Sequence, residues 1–212
     1  MTGEPYGGPP APWYLRGQMH ASLWRIRVAD LPPDTRPAVQ PLRFAGHALL
    51  VTAWADYAPG GTLAYREFLA ATAVRGPAPL ALAGTVGPIW VDDELAAAGG
   101  RVLWKIPKQR GSFRHAAGEG GGWEAELSED GELVAALRFR PSRAPGLPLR
   151  LTVWTVQPDA AGPVRTRCVL RGTLRHGAAQ WSFAATGPLA FLCGRTPILS
   201  ARLSNLAAQF GV

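Results

Sequence analysis

Apolar and polar positions alternate along most of this 212-residue chain. Runs with that pattern cover 20–28, 47–55, 63–74 and 84–91, and further runs cover 101–106, 123–127, 132–140, 148–156, 164–175 and 179–185. Most are rich in β-branched and aromatic residues and are bounded by Gly, Pro or Asp, as strands are. Two segments follow a different period. Asp92 is placed to cap a helix over 93–98, with acids in its first turn and Gly99-Gly100 to end it. Residues 198–209 carry Leu199, Leu203 and Leu206 at helical spacing. Many short strands at this frequency predict a mostly β (α+β) chain with one or two short helices. They favour a barrel or packed sheets over an α/β fold.

Residues 1–12 are rich in Gly and Pro and read as a flexible N-terminal tail, leaving 13–212 as a single domain. Hydrophobic residues make up 47% and charged residues 17%, a globular balance. No apolar run reaches the ~18–20 residues of a membrane-spanning helix. No basic segment precedes an apolar one at the N-terminus, so a secretion signal is not expected and the protein is placed in the cytoplasm. Cys168 and Cys193 have neither metal-ligand nor redox spacing and are expected to be free and buried. The four histidines (His20, His47, His115, His176) are isolated from one another, so neither a metal nor a cofactor is expected.

The net charge is +7, but it does not indicate a nucleic-acid partner. The arginines alternate with apolar residues, as in Val164-Arg165-Thr166-Arg167-Cys168 and Leu137-Arg138-Phe139-Arg140. That places them on the solvated faces of strands, without the interleaved aromatics of a nucleic-acid groove. Residues 117–122, rich in glycine, lack the Lys and Ser/Thr of a phosphate loop.

Charge does single out one segment. Of 22 basic residues only Lys105 and Lys108 are lysines. Arginine stays protonated and cannot serve as an amine nucleophile, so these two are the chain's candidates for that role. At an ordinary lysine only about one amine in two thousand is neutral at pH 7, so a working one needs apolar surroundings or a neighbouring cation. If 103–108 is extended, Trp104, Ile106 and Lys108 share a face, and Pro107 marks the end of a strand where a pocket can open. On a separate strand, Glu67 shares parity with Tyr65, Leu69, Ala71 and Ala73, an otherwise apolar face. A carboxylate there needs a partner or must be neutral. Read from the residues alone, Lys108 could equally be a surface lysine and Glu67 an acid paired with an arginine.

Together these segments resemble the acetoacetate decarboxylase superfamily. The likeness rests on Asp56 to Glu67 and on Ile89 to Phe113. The latter includes Trp90-Val91-Asp92-Asp93, Ala98-Gly99-Gly100-Arg101 and Trp104-Lys105-Ile106-Pro107-Lys108. Pro12-Trp13-Tyr14-Leu15-Arg16-Gly17 is similar to the segment that opens that fold. The resemblance implies a closed, cone-shaped antiparallel β-barrel with a central cavity, usually assembled as a homo-oligomer. It implies that Lys108 forms a Schiff base with a small keto acid or related carbonyl compound and that Glu67 is the pocket carboxyl. Tyr65, Trp104, Lys105, Gln109 and Arg16 become the expected substrate-binding residues.

Three positions depart from the decarboxylase pattern. Gln109 stands where decarboxylases carry a second lysine. Lys105 stands where the residue is commonly small. Residues 48–54 offer no further acid. An ionised Glu67 beside Lys108 would also hold the amine as ammonium, so the acid should be neutral or engaged elsewhere. Activation then falls to desolvation, or to Lys105 if the chain turns enough. Some relatives run aldol–dehydration through the same lysine, which calls for a carboxyl acid/base more than a second cation. The sequence leaves open decarboxylation, aldol–dehydration, a non-covalent binding or cyclisation scaffold, and a fold kept without activity.

Overall fold

A computed structural model describes residues 6–31, 39 and 41–212. In chain order the elements are β1 (Trp13–Arg27), β2 (Arg43–Phe44), β3 (His47–Ala58), β4 (Tyr65–Ala73), β5 (Ala83–Val91), α1 (Glu94–Trp104), β6 (Gln109–Arg110), β7 (Ser112–Ala117), β8 (Trp123–Glu129), β9 (Glu132–Pro141), β10 (Leu147–Gln157), β11 (Val164–Phe183) and β12 (Leu199–Phe210). The chain is mostly β, as its alternation predicts. Seven strands pair in the order β10-β5-β4-β3-β1-β12-β11, and β10–β11 pairing closes them into a ring. Within the ring the pairings are antiparallel except one: β10 meets β5 in parallel over two residue pairs. This weak seam departs from the wholly antiparallel closure expected.

β11 is a single strand where two separate runs were expected. Its first part pairs in the ring with β10 and β12. From Gly177 onward it pairs with β9, carrying the chain into a second layer ordered β9-β8-β7. A side chain at 177 would strike the Phe139 ring and the Arg140 carbonyl, so glycine permits the crossing.

The two faces of the ring strands bury different groups. One set of alternating positions (Trp24, Ile26, Leu50, Trp54, Phe68, Trp90) packs against Phe113, Trp123, Leu127, Leu137 and Phe139 of the second layer. The other set (Leu15, Tyr57, Tyr65, Ile89, Leu203, Leu206) turns inward, where Ala96, Ala97 and Trp104 of α1 meet it. Burying a large apolar side chain contributes roughly 1.5–3 kcal/mol.

Three sequence expectations are corrected. The helix does not end at Gly99-Gly100: it runs to Trp104, which removes the strand expected over 101–106. Both glycines sit in the helix because neighbours press against it. A Cβ at 99 would lie 2.5 Å from Trp13, and one at 100 would lie 2.6 Å from the Lys108 chain. The stop comes from Lys105 in the left-handed region (φ 57°) and from the Ile106 N–H bonded to the Gly100 carbonyl at 3.0 Å. The helix cap is Asp93, accepting from the Ala96 N–H at 2.7 Å, while Asp92 accepts from the Arg66 N–H. Residues 199–210 form a strand, not a helix. Near Asn205 (φ 51°) the register slips by one residue, so the inward set changes from Leu203 to Leu206 and Ala208. That slip produces the spacing of three that reads as helical. At the N-terminus, Tyr6 packs against the inner cluster, and Tyr6 Oη and Trp13 Nε1 both donate to the Pro9 carbonyl. Among the described residues no helix is long and apolar enough to cross a membrane.

Candidate active site

The inner face of β4 carries Tyr65 and Glu67, and its neighbour β3 contributes Tyr57. Cross-strand pairing places Tyr57 opposite Tyr65, with ring centroids 4.9 Å apart. Lys108 arrives from the other side. After α1 stops, the chain turns at left-handed Lys105 and passes through a tight turn over 106–108 into β6, which leaves Trp104, Ile106 and Lys108 buried while Lys105, Pro107 and Gln109 are exposed. The extended segment expected over 103–108, with Trp104, Ile106 and Lys108 on one strand face, is therefore corrected: the three are buried as expected, but through a helix end and a turn. The segment is held by Arg101 Nη1 donating to the Lys108 carbonyl at 2.5 Å and by the Lys108 N–H donating to the Ile106 carbonyl at 2.8 Å.

Lys108 is 5% exposed and its Nζ lies 2.6 Å from Glu67 Oε2. The amine also donates to Tyr65 Oη at 3.2 Å and stands 4.9 Å from the Tyr65 ring centre and 5.9 Å from that of Trp13. Burial, reinforced by the negative charge of Glu67, pushes the Tyr57 and Tyr65 hydroxyls well above the ordinary tyrosine range. Both therefore remain protonated donors. Cys168, buried on β11, is likewise pushed up, first by burial and then by Glu67, which places it within electrostatic reach of the carboxylate.

A buried ion pair at 2.6 Å is costly unless its remaining hydrogen-bonding capacity is met, and here the tyrosines supply it. Moving one proton between the two partners gives a neutral amine beside a neutral acid with no change in net charge. The arrangement can thus expose a nucleophilic amine and keep the proton 2.6 Å away for return.

The structure brings together Lys108, Glu67 and Tyr65. Trp104 lies one layer further out, packed edge-on against Trp13 (4.8 Å) and Phe210 (4.5 Å). Lys105 lies 3.8 Å from Asp159, and its Nζ is directed there instead of to Lys108. Gln109 and Arg16 have exposed side chains. Sequence reasoning missed Trp13 beside the amine, Tyr57 and Cys168 near the Glu67 carboxylate, and Gly100 as the surface against which the lysine lies. Parity with Ala55 on β3 could have pointed Tyr57 inward; nothing local marks Cys168, which depends on pairing with the distant β12. Two cavities of about 650 and 170 Å³ lie elsewhere, lined by residues of other regions. The amine is identified as a candidate by chemistry and burial, not by cavity size.

No protein-family model matches the chain, and a search of curated proteins finds no match. Solved structures do match. The enduracididine biosynthesis enzyme MppR, complexed with pyruvate, superposes with a TM-score of 0.64 at 19% identity, over 99% of this chain and 90% of that one. Acetoacetate decarboxylase from Legionella pneumophila gives 0.67 at 15% identity, over 95% and 85%. An acetoacetate decarboxylase-like enzyme from Sphingomonas wittichii gives 0.62 at 14% identity, over 95% and 91%. The chain has the acetoacetate decarboxylase-like fold that the motifs around Glu67 and Lys108 resemble.

Proposed function

We propose that this protein is a lyase working through a Schiff base between Lys108 and a keto acid or related small carbonyl compound held inside the strand ring. The single observation that carries the reading is the buried 2.6 Å contact between the only inward-facing amine among the described residues and Glu67. The fold shared with acetoacetate decarboxylases and with MppR supports it. Access to the ring interior is supported by its side chains: Met19, Leu69, Ala71, Leu149 and Leu174 are only partly buried, whereas outward-facing Phe68 and Ala70 are buried.

In the proposed sequence Glu67 takes the ammonium proton, the neutral amine adds to the carbonyl carbon, and one N–H proton passes to the alkoxide oxygen to give a carbinolamine. Glu67 then gives its proton to that hydroxyl, the C–O bond breaks with loss of water, and the resulting iminium serves as electron sink. The carbon–carbon step is either loss of carbon dioxide or proton loss to an enamine that adds to an aldehyde and then eliminates water. Lys105 is drawn toward Asp159, and Gln109 supplies no charge. The amine thus has an acid–base partner in contact instead of a second cation, which favours aldol–dehydration over decarboxylation. The complex of MppR with the condensation product of pyruvate and imidazole 4-carboxaldehyde is in keeping with that branch. Tyr65 is proposed to orient the carbonyl oxygen, with Trp104 shaping the wall behind Trp13. Arg16, Lys105 and Gln109 would contribute only at the rim. We further propose that the protein acts in the cytoplasm as a homo-oligomer, since Phe44, Leu147, Ile198 and Leu199 leave apolar surface exposed.

Incubation with pyruvate and an aromatic aldehyde is expected to yield an unsaturated, ultraviolet-absorbing condensation product, and acetoacetate to release little carbon dioxide. The reverse outcome would move the assignment to a decarboxylase. Ligand binding without turnover, unchanged in Lys108→Ala, would point instead to a non-covalent cavity protein.

A further inference from the structure

On the outer face of the ring, β11 and β12 place two arginines directly opposite each other, Arg175 and Arg202. Like charges in opposed positions destabilise a strand pair unless something joins them. Among the described residues no carboxylate forms an ion pair with either one. Arg202 is half-buried, and its Nε is fully enclosed without a hydrogen-bond partner, a state that ordinarily costs more than a hydrogen bond contributes. On its other side Arg202 faces His20 of β1. There its unneutralised charge adds to burial in keeping the imidazole neutral.

The two arginines border a notch of about 170 Å³ that is also lined by Thr173, Ser204 and Pro141. It sits where β11 leaves the ring for the second layer. Both hydroxyls can rotate to donate; Ser204 Oγ now donates to the Thr173 carbonyl at a long 3.3 Å. Ser142, next to Pro141, holds another enclosed hydroxyl without a partner. The notch is separate from the amine site. Arg202 belongs to the outward set of β12, and Arg175 lies seven residues beyond Cys168 on β11, roughly 23 Å at about 3.3 Å per residue. Planar guanidinium forks with hydroxyl donors between them match the oxygens of a tetrahedral oxyanion.

We propose that this notch is a second ligand site, binding phosphate or the phosphate group of a phosphomonoester between Arg175 and Arg202, with Thr173 and Ser204 donating to it. The test is calorimetric titration of the full chain with inorganic phosphate and, separately, with glycerol phosphate, at constant ionic strength. Saturable one-to-one binding is expected, weakened about tenfold or more in Arg202→Gln and in Arg175→Gln. Without phosphate both variants should melt at or above the wild-type temperature, because the repulsion is gone. If Arg202→Gln fails to fold, the exposed Arg175→Gln carries the test. Tighter binding of glycerol phosphate supports a phosphorylated metabolite as the ligand, and equal binding supports free phosphate. A non-saturable response, or saturable binding unchanged in Arg175→Gln, would overturn the proposal.

Discussion

Lys108 and Glu67 neutralise each other inside an apolar shell, so neither tolerates the loss of its partner. Lys108→Met leaves a buried carboxylate uncompensated and is expected to cost about 3–5 kcal/mol in urea unfolding. Adding Glu67→Gln should restore a large part of that, and a double variant no more stable than the single one would show that the pair is not coupled. His20 makes a separate prediction. Stacked 4.2 Å from Trp123, with both ring nitrogens unpartnered, it is lowered to about 3 by burial and then by Arg202. Its folded value lies below its unfolded one, so between about 6.5 and 3 the unfolded chain binds the extra proton. The contribution is complete above pH 6.5 and declines as pH falls toward 3. From this group alone, unfolding free energy should drop by about 2 kcal/mol between pH 6.5 and 5. His20→Phe should flatten that slope, and an equal slope in the variant would contradict the assignment.

Most elements were legible from alternation, because a strand with one buried face writes period two into the sequence. The chain was harder to read where contacts between distant segments decide its course. Gly99-Gly100 has the look of a helix stop, but both glycines are interior positions kept small by Trp13 and Lys108, residues that no local window connects. The register slip near Asn205 gave a strand the spacing of a helix. Glu67 lies on a β4 face whose parity is local, Lys108 is buried through the turn that follows α1, and Tyr57 and Cys168 join them through strand pairing. Two predictions belong at this scale. Gly100→Ala should favour the helix by about 1 kcal/mol in isolation, yet displace the Lys108 chain and lower turnover by about 100-fold. Turnover unchanged would mean that the helix surface does not position the amine. Asn205→Val should destabilise by about 1–3 kcal/mol through its positive φ, with Asn205→Gly close to wild type in thermal melts.

At the scale of the whole molecule, the strand ring separates two interiors. The outward face is closed by the second layer and supplies rigidity. The inward face stays partly accessible and meets the helix and the Lys108 segment, so one sheet both stabilises the chain and presents the chemistry. Light scattering after gel filtration is expected to give at least twice the single-chain mass, and a single-chain mass would remove the proposed assembly. The central claim is that the Lys108 amine forms a covalent bond with a carbonyl. The direct measurement is borohydride reduction in the presence of pyruvate, followed by peptide mass mapping. A stable increment is expected on the peptide bearing Lys108, absent in Lys108→Ala and strongly reduced in Glu67→Gln. An unmodified Lys108 with pyruvate, acetoacetate and simple aldehydes alike, or an increment of equal yield on Lys105, would contradict it.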